Sequence, residues 1–121
     1  MTEGEKVEKL FRRRESVVLA GCLKLMKLYP LDFFVWRNNT GGARKGADRW
    51  VTFSVSGAPD IIGVTKTGAF IGVETKRPGG RMRESQRDFH ARAIHMNCIM
   101  FVATSAEELH RKLLDAKLIR A

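Results

Sequence analysis

Three charged residues near the middle of the chain have side chains suited to phosphodiester chemistry. Asp60 ends the segment Gly57–Asp60 (GAPD), and thirteen residues separate it from Glu74–Lys76 (ETK). Two neighbouring carboxylates repel each other unless a cation lies between them. Mg²⁺ prefers oxygen ligands and is typically bound by one or two carboxylates together with substrate phosphate oxygens. A lysine beside such a pair could contact a phosphate oxygen or orient an attacking water, so this set suits metal-assisted hydrolysis.

The secondary structure predicted around these residues brings the two carboxylates together. Proline is tolerated in a sheet only at an edge, a bulge or the first residue of a strand, so Pro59 places Asp60 at the mouth of a strand. Lys66–Gly68 predicts a tight turn, and the apolar runs on either side of it predict a hairpin. Side chains alternate along a strand, so Glu74 and Lys76 share one face. Asp60 and Glu74 are therefore expected to lie close across the hairpin.

Each motif also has an ordinary interpretation. A Glu-x-Lys pair on a strand usually marks a solvated face or a surface ion pair. Proline and aspartate before a strand are common turn chemistry. Their combination at hairpin spacing in a basic chain favours the catalytic interpretation.

The remaining elements follow from hydrophobic periodicity and from turn residues. Residues 5–29 predict an amphipathic helix closed by Pro30, and Arg12–Arg14 mark either a break or a charged turn before a second helix near Glu15. Further on, the pattern predicts a strand over 33–36, a loop over 37–42, a strand over 50–55, a helix over 84–96, a strand over 98–103 and a last helix. Ser105 caps that helix, and Glu108 completes a capping box.

This order of helix, three or four strands, helix, strand and helix favours an α/β fold. We expect a mixed central β-sheet flanked by helices, in a single domain over residues 1–121.

Composition indicates a globular protein with a polyanionic partner. Hydrophobic residues make up 44% of the chain, and 22 Lys and Arg against 13 Asp and Glu give a formal net charge of +9, as expected of a phosphate-binding surface. Its apolar stretches are too short to span a bilayer, and the charged start has no signal-peptide pattern. Cys22 and Cys98 are interpreted as reduced core residues. We therefore expect a cytoplasmic protein without a membrane partner.

The motifs together are similar to those of the PD-(D/E)xK nuclease superfamily and, within it, of the virus-type replication-repair nuclease (VRR-NUC) domain. The resemblance covers Glu15 to about Ser105 and rests on a helical Glu15, GxPD at Gly57–Asp60, ExK at Glu74–Lys76, and Gln86 with Phe89 opening the next helix. It implies a restriction-endonuclease-like core, in the cytoplasm of a bacterial or phage-infected host cell.

The resemblance also implies roles for individual residues. Asp60, Glu74 and the backbone carbonyl of Thr75 would bind Mg²⁺, for which Mn²⁺ is expected to substitute. Lys76 would assist the attacking water.

Two further residues would complete the catalytic set implied by the resemblance. Gln86 would hydrogen-bond into the site, and Glu15 would add a carboxylate to an outer or second metal position. Alternatively, Gln86 is only a polar residue of the first helical turn, and Glu15 is an ion-pair partner of the preceding arginines.

Two loops are expected to hold the DNA backbone, because arginine binds phosphate in a bidentate manner and glycine allows close approach. The contacts are predicted for Arg37, Asn39, Arg44 and Lys45 in the first loop and for Arg77, Arg81 and Arg83 in the second. A solvated basic surface is the alternative. Trp36, Trp50 and Phe53 are interpreted as core or interface residues rather than base-stacking platforms.

The leading hypothesis is a metal-dependent endonuclease that hydrolyses DNA phosphodiester bonds and selects branched, flapped or junction structures. The alternatives are a non-catalytic DNA-binding module that retains the fold and a basic structural protein that assembles on RNA. The resemblance further implies a homodimer.

Overall fold

The computed structural model describes residues 1–39, 42–44, 50–52 and 55–120, and at positions 8, 11–13, 42–44 and 50–52 it describes the backbone alone. The elements are α1 (Glu3–Lys27), β1 (Phe33–Arg37), β2 (Gly42–Arg44), β3 (Trp50–Thr52), β4 (Ile61–Thr65), β5 (Phe70–Thr75), α2 (Glu84–His95), β6 (Ile99–Ala103) and α3 (Ala106–Asp115).

Four of these strands form one mixed sheet in the order β1-β4-β5-β6. β4 pairs antiparallel with both β1 and β5, whereas β6 runs parallel to β5, and α2 connects those two strands. A parallel pair needs such a crossover, and a helix is its usual form. β2 and β3 pair antiparallel in a separate two-stranded sheet. The predicted mixed sheet flanked by helices is confirmed.

The predicted hairpin is also confirmed. β4 and β5 are joined by a turn at 66–68, in which Gly68 has a φ of 87° and its N–H donates to the Thr65 carbonyl at 2.9 Å. Glycine adopts this left-handed conformation without steric cost. The register pairs Ile61 with Val73.

The hydrophobic core lies on one face of the sheet, beneath α1 and α3. Alternate residues of the strands, such as Ile61 and Val73, are fully buried there against Met26 of α1 and Leu109 and Leu113 of α3. Full burial of each such side chain contributes roughly 1.5–3 kcal/mol. Packing on this face holds the β4–β5 hairpin in place.

α2 lies on the opposite face of the sheet. Glu74 alternates with the core residue Val73 and so points away from the core, and Gln86 of α2 donates to it. The sheet is thus enclosed between α1 with α3 on one side and α2 on the other, and the side chain of Glu74 lies under α2.

The first helix is one continuous element of 25 residues, so the predicted break or charged turn at Arg12–Arg14, with a second helix near Glu15, is wrong. Arginine is a good helix former, and no proline interrupts this stretch. A capping box between Thr2 and Glu5 starts the helix two residues earlier than predicted. It ends at Lys27, because the residue before Pro30 is disfavoured in helical conformation.

The region between β1 and β4 departs from the prediction. Gly42, expected in a loop, belongs to β2, a strand that the sequence did not indicate. The strand predicted over 50–55 spans Trp50–Thr52, Val55 is not part of it, and residues 53 and 54 lie outside the described part of the chain. A three-residue strand is too short to show periodicity.

Predictions about single residues had mixed outcomes. Trp36 is 45% exposed, so the core alternative is excluded for it and the interface alternative stays a prediction; its ring forms an edge-to-face pair with Phe34, which is 70% exposed. The side chains of Trp50 and Phe53 lie outside the described residues. Ser105 caps α3 by accepting from the Glu108 N–H, but Glu108 accepts from the backbone N–H of Thr104 instead of closing the box on Ser105.

Candidate active site

The site is built at the end of the β4–β5 hairpin. Because Ile61 pairs with Val73, Asp60 stands across the ladder from Glu74. Oδ2 of Asp60 accepts hydrogen bonds from the Thr75 N–H at 2.9 Å and from the Thr75 hydroxyl at 2.8 Å. These two bonds fix the Asp60 carboxylate at the strand end.

Neighbouring segments hold the backbone around Asp60. The amide side chain of Asn38, just beyond β1, donates to the Pro59 carbonyl at 3.1 Å, and the Asn38 N–H donates to the Asp60 carbonyl at 2.7 Å. Gly57 has a φ of 80°, and a Cβ there would lie 2.0 Å from the Ser85 carbonyl oxygen. The segment before Asp60 is therefore packed directly against the start of α2.

Glu74 has an unusual environment for a carboxylate. It is 2% exposed. Its Oε1 accepts from Nε2 of Gln86 at 3.0 Å and lies 3.8 Å from Nζ of Lys76. Its Oε2 is buried and has no hydrogen-bond partner within the described part of the chain. A buried carboxylate oxygen without a partner is costly and requires an explanation.

The pKa of Glu74 is raised from 4.5 to about 8. Burial is the largest cause; the neighbouring Asp60 carboxyl raises the pKa further, Lys76 lowers it, and Glu15 raises it slightly. The Asp60 and Glu74 carboxyls are therefore close enough to interact. Two ionised carboxylates only accept hydrogen bonds, so either a proton or a cation must join them.

These residues fit a divalent cation bound by oxygen. The partnerless Oε2 of Glu74 beside Asp60 is where such a cation would satisfy both carboxylates. No group of three or more His, Cys, Asp or Glu side chains suited to a metal occurs among the residues that the structure describes. Two protein carboxylates are the pattern of Mg²⁺, which retains waters and takes substrate phosphate oxygens.

Lys76 is buried beside this pair, with 6% of its surface exposed, and its N–H donates to the Ala103 carbonyl at 2.9 Å. The interpretation of Glu74 and Lys76 as a solvated strand face is therefore wrong. A buried ammonium group next to two carboxylates offsets one of their two negative charges.

Gln86 connects α2 to the site, so the alternative that it is only a polar residue of the first helical turn is wrong. It is a first-turn residue of α2, and its Oε1 accepts from the Arg83 N–H at 2.8 Å. That bond orients the amide so that Nε2 donates to Glu74. The start of α2 therefore fixes the rotamer of the Glu74 carboxylate.

A cavity of about 430 Å³ opens over these groups, and its lining includes all five residues predicted for catalysis, namely Glu15, Asp60, Glu74, Lys76 and Gln86. Thr75, Arg37 and Arg83 also line it. The structure thus gathers in one place residues that span 72 positions of sequence, from Glu15 to Gln86.

Three further residues predicted for DNA contact lie outside the lining of this cavity. Asn39 and Arg81 are exposed and Arg77 is half-buried, and none of the three lines this cavity. The side chain of Arg44 and all of Lys45 lie outside the described part of the chain.

Two contributors to the site were not predicted from sequence. The Thr75 hydroxyl was missed because strict alternation assigns it to the face opposite Glu74, whereas Asp60 reaches it at the strand end. Asn38 was treated as an ordinary loop residue. Its position directly after the strand that pairs with β4 was the signal that could have placed it next to Asp60.

The fold and the site together define a class of α/β protein, in which a carboxylate pair and a buried lysine meet at the end of a hairpin in a mixed sheet. The VRR-NUC domain model matches residues 43–107, more than half of the chain. The chain therefore belongs to the VRR-NUC family, and the restriction-endonuclease-like fold expected from the resemblance is confirmed. This membership places it among nuclease-type DNA-processing proteins.

A comparison with curated proteins and one with solved structures gave no match. None of the helices described here is both long and apolar enough to cross a membrane.

Proposed function

We propose that the protein is a Mg²⁺-dependent endonuclease that hydrolyses DNA phosphodiester bonds. The observation that supports this most strongly is the buried, partnerless Oε2 of Glu74 next to Asp60, in a cavity that also contains Lys76. A protein that only binds DNA gains nothing from two carboxylates close to phosphates, because they repel the ligand.

In this proposal Asp60, Glu74 and the backbone carbonyl of Thr75 hold Mg²⁺, with Mn²⁺ as a substitute. When bound, the ion supplies positive charge to the reacting phosphate and makes water a stronger nucleophile. Lys76 contacts a phosphate oxygen or orients the attacking water, and its burial strengthens that interaction. Gln86 holds the Glu74 carboxylate in place, and Glu15 contributes negative charge at the edge of the cavity.

DNA would enter the cavity between Arg37 and Arg83, which stand on its lining. Arginine pairs with phosphate in a bidentate manner, and a formal net charge of +9 attracts the duplex to this surface. Asn39, Arg44, Lys45, Arg77 and Arg81 would extend the contacts along the backbone. Backbone contacts carry no sequence information, so we propose selection by DNA structure, with branched, flapped or junction DNA as substrates.

The test is to incubate purified protein with branched, flapped and linear DNA in Mg²⁺, in Mn²⁺ and in EDTA. We expect cleavage only with a divalent ion and fastest on a branched or flapped substrate. Glu74→Gln and Lys76→Ala should each reduce the rate by about 10²-fold or more, as removal of a charge-stabilising group does. The exposed Glu107 and Lys24 provide matched controls, since Glu107→Gln and Lys24→Ala keep the fold and leave the cavity intact.

Three outcomes decide between the hypotheses. Cleavage that survives both site variants contradicts the assignment of the site. DNA binding without divalent-dependent cutting indicates a non-catalytic DNA-binding module. Preferential assembly on RNA without cutting indicates a structural protein.

The proposal includes a homodimer formed by residues 1–121 acting as one domain. Phe34 and Trp36 provide a surface that a second copy could cover, since they are 70% and 45% exposed on the outer face of β1. Sedimentation velocity at micromolar concentration should show a dimer that Phe34→Ser weakens. A wild-type protein that stays monomeric at high concentration contradicts this part.

A further inference from the structure

A second cavity of about 530 Å³ lies along one face of α2, next to the candidate active site. Residues of that face recur at helical spacing from Ser85 to Met96, which corresponds to a length of roughly 16 Å at 1.5 Å per residue. We call this cavity the α2 groove.

The α2 groove and the active-site cavity share a wall. Val55, Ser56 and Ser85 line both cavities. Because a Cβ at Gly57 would lie only 2.0 Å from the Ser85 carbonyl oxygen, this wall is packed against α2 without space between them. A ligand bound in the first cavity therefore borders the α2 groove directly.

The two cavities differ in chemistry. The first is lined mainly by charged and polar side chains, whereas the α2 groove has two phenylalanines, Phe70 and Phe89, together with Met96. Phe70 and Phe89 are half-buried, so each is held in place and still presents surface. Asp88 and Arg92 stand at the polar rim of the groove. An aromatic and apolar surface with a hydrogen-bonding rim matches a nucleobase, which has apolar faces and polar edges.

We propose that the α2 groove binds an unpaired nucleobase of the nucleotide that adjoins the phosphate in the active-site cavity. This proposal rests on the proposed nuclease function, and it names the feature of DNA that the enzyme selects. Phe89 or Phe70 stacks on the base, and Arg92 and Asp88 bond to its edge or to the next phosphate. A base within a duplex is held in its stack, so the α2 groove favours DNA with an unpaired nucleotide beside the scissile bond.

A nucleobase is favoured over a second copy of the chain as the occupant. The α2 groove borders the cavity lined by Arg37, Arg83 and Lys76, so a bound strand can pass over the shared wall from one cavity to the other with its phosphates on basic groups. A second copy of a chain with formal net charge +9 would have to approach the same basic surface.

The first experiment compares flapped oligonucleotides that carry either a base or an abasic residue at the first unpaired position. Binding is measured by fluorescence anisotropy with Ca²⁺ in place of Mg²⁺. Stacking of one base on an aromatic side chain corresponds to about a five- to 150-fold gain in affinity, so the abasic oligonucleotide should bind weaker by a factor in that range. Phe89→Leu or Phe70→Leu, each of which keeps an apolar side chain but removes a ring, should bring the ratio close to one. Arg111→Ala, at an exposed position of α3, is the control and should leave the ratio unchanged.

The second experiment locates the base by photocrosslinking. An oligonucleotide with 5-iodouracil at the same position should crosslink to peptides that contain Phe70, Phe89 or Met96. Three outcomes would each overturn the α2 groove assignment. The crosslinks could fall on Phe34 and Trp36 instead, or the base and abasic oligonucleotides could bind equally well. The third is that Phe89→Leu changes sedimentation of the protein without changing the base preference.

The two proposals can fail separately. If the wild type cuts no DNA but prefers the base and crosslinks in the α2 groove, the nuclease proposal fails and the groove assignment stands. If DNA is cut, the abasic oligonucleotide binds as tightly as the base-carrying one and 5-iodouracil does not crosslink to the α2 groove, the groove assignment fails alone.

Discussion

At the scale of single residues, the buried carboxyl of Glu74 serves the proposed metal site but lowers the stability of the metal-free fold near neutral pH. Its folded-state pKa of about 8 lies above the ordinary 4.5. Below pH 4.5 the carboxyl is protonated in both the folded and the unfolded chain. As the pH rises from 4.5 to 8 the unfolded chain loses this proton and the folded chain keeps it, so the metal-free fold becomes less stable.

We therefore predict that Glu74→Gln stabilises the metal-free protein while abolishing cleavage. The gain in the free energy of unfolding should be near zero at pH 4 and roughly 2–4 kcal/mol at pH 8. Urea denaturation in EDTA at both values measures it. Adding Mg²⁺ at pH 8 should stabilise the wild type and not the variant. A variant that is less stable than the wild type at pH 8 would contradict this account of the buried carboxyl.

Gln86 is a positioning residue, since it acts on the metal site through Glu74. Groups that orient a metal ligand typically contribute 10- to 100-fold to metal affinity or activity. Gln86→Ala should therefore weaken Mg²⁺ activation of cleavage by a factor of that size. Glu84→Ala, at an exposed position of the same helical turn, should weaken Mg²⁺ activation far less. If both variants shift only the melting temperature and leave the Mg²⁺ midpoint unchanged, Gln86 has a structural role alone.

The sequence allowed the carboxylate pair to be predicted, because a tight turn and the two-residue period of strands determine which positions meet. It did not reveal that Lys76 is buried, because burial depends on β6 and α2, which are distant in sequence. The position of the Thr75 hydroxyl could not be predicted either, since it depends on how Asp60 turns at the end of β4.

At the scale of elements, the contact between the segment before Asp60 and the start of α2 allows a matched pair of substitutions. Gly57 and Gly68 have φ angles of 80° and 87°, so alanine is strained at both. Only at Gly57 would the new Cβ meet backbone, whereas nothing lies within 4 Å at Gly68.

Gly68→Ala should cost about 1–2 kcal/mol, the penalty of the left-handed conformation. Gly57→Ala should lower the free energy of unfolding by more than this. It should also reduce cleavage, because α2 must move away from Glu74. Chemical denaturation together with activity measurements tests this. Equal losses of stability in Gly57→Ala and Gly68→Ala would show that α2 moves aside without a cost in free energy.

The cap of α3 gives a pH-dependent prediction. Burial raises the pKa of Glu108, but hydrogen bonds from Thr104 and the charge of Lys112 outweigh it, so the pKa lies below its ordinary value. A lowered folded-state pKa stabilises the fold above the ordinary pKa of 4.5 and loses this effect as the pH falls below it.

Glu108→Gln should therefore lower the free energy of unfolding by about 1 kcal/mol at pH 7 and have little effect near pH 3. Glu107→Gln, at the neighbouring exposed position, should show no such pH dependence. An effect of Glu108→Gln that is independent of pH would mean that the charge of Glu108 does not matter.

The elements themselves were predicted unevenly. Long periodic segments, such as α1 and α2, were placed within about two residues, because many positions repeat the pattern. β2 was missed, since its Gly-Ala-Arg sequence has no alternation and forms a strand only by pairing with β3.

At the scale of the whole molecule, the basic charge predicts how DNA binding depends on salt. Each phosphate neutralised by a lysine or arginine adds close to one to the slope of log affinity against log salt concentration. Arg37→Ala and Arg83→Ala should each reduce the slope by about one, since both residues line the cavity. Arg111→Ala serves as the distant control. Slopes that match the control would place the DNA path elsewhere.

The site draws on residues far apart in the chain. The carboxylate pair depends on Gln86 of α2, and the backbone of Lys76 is held by Ala103 of β6. Both supports follow the two acids in sequence, Gln86 by 12 residues and Ala103 by 29 residues after Glu74. A chain without the segment from Gln86 to Ala103 is therefore expected to carry both acids but no assembled site.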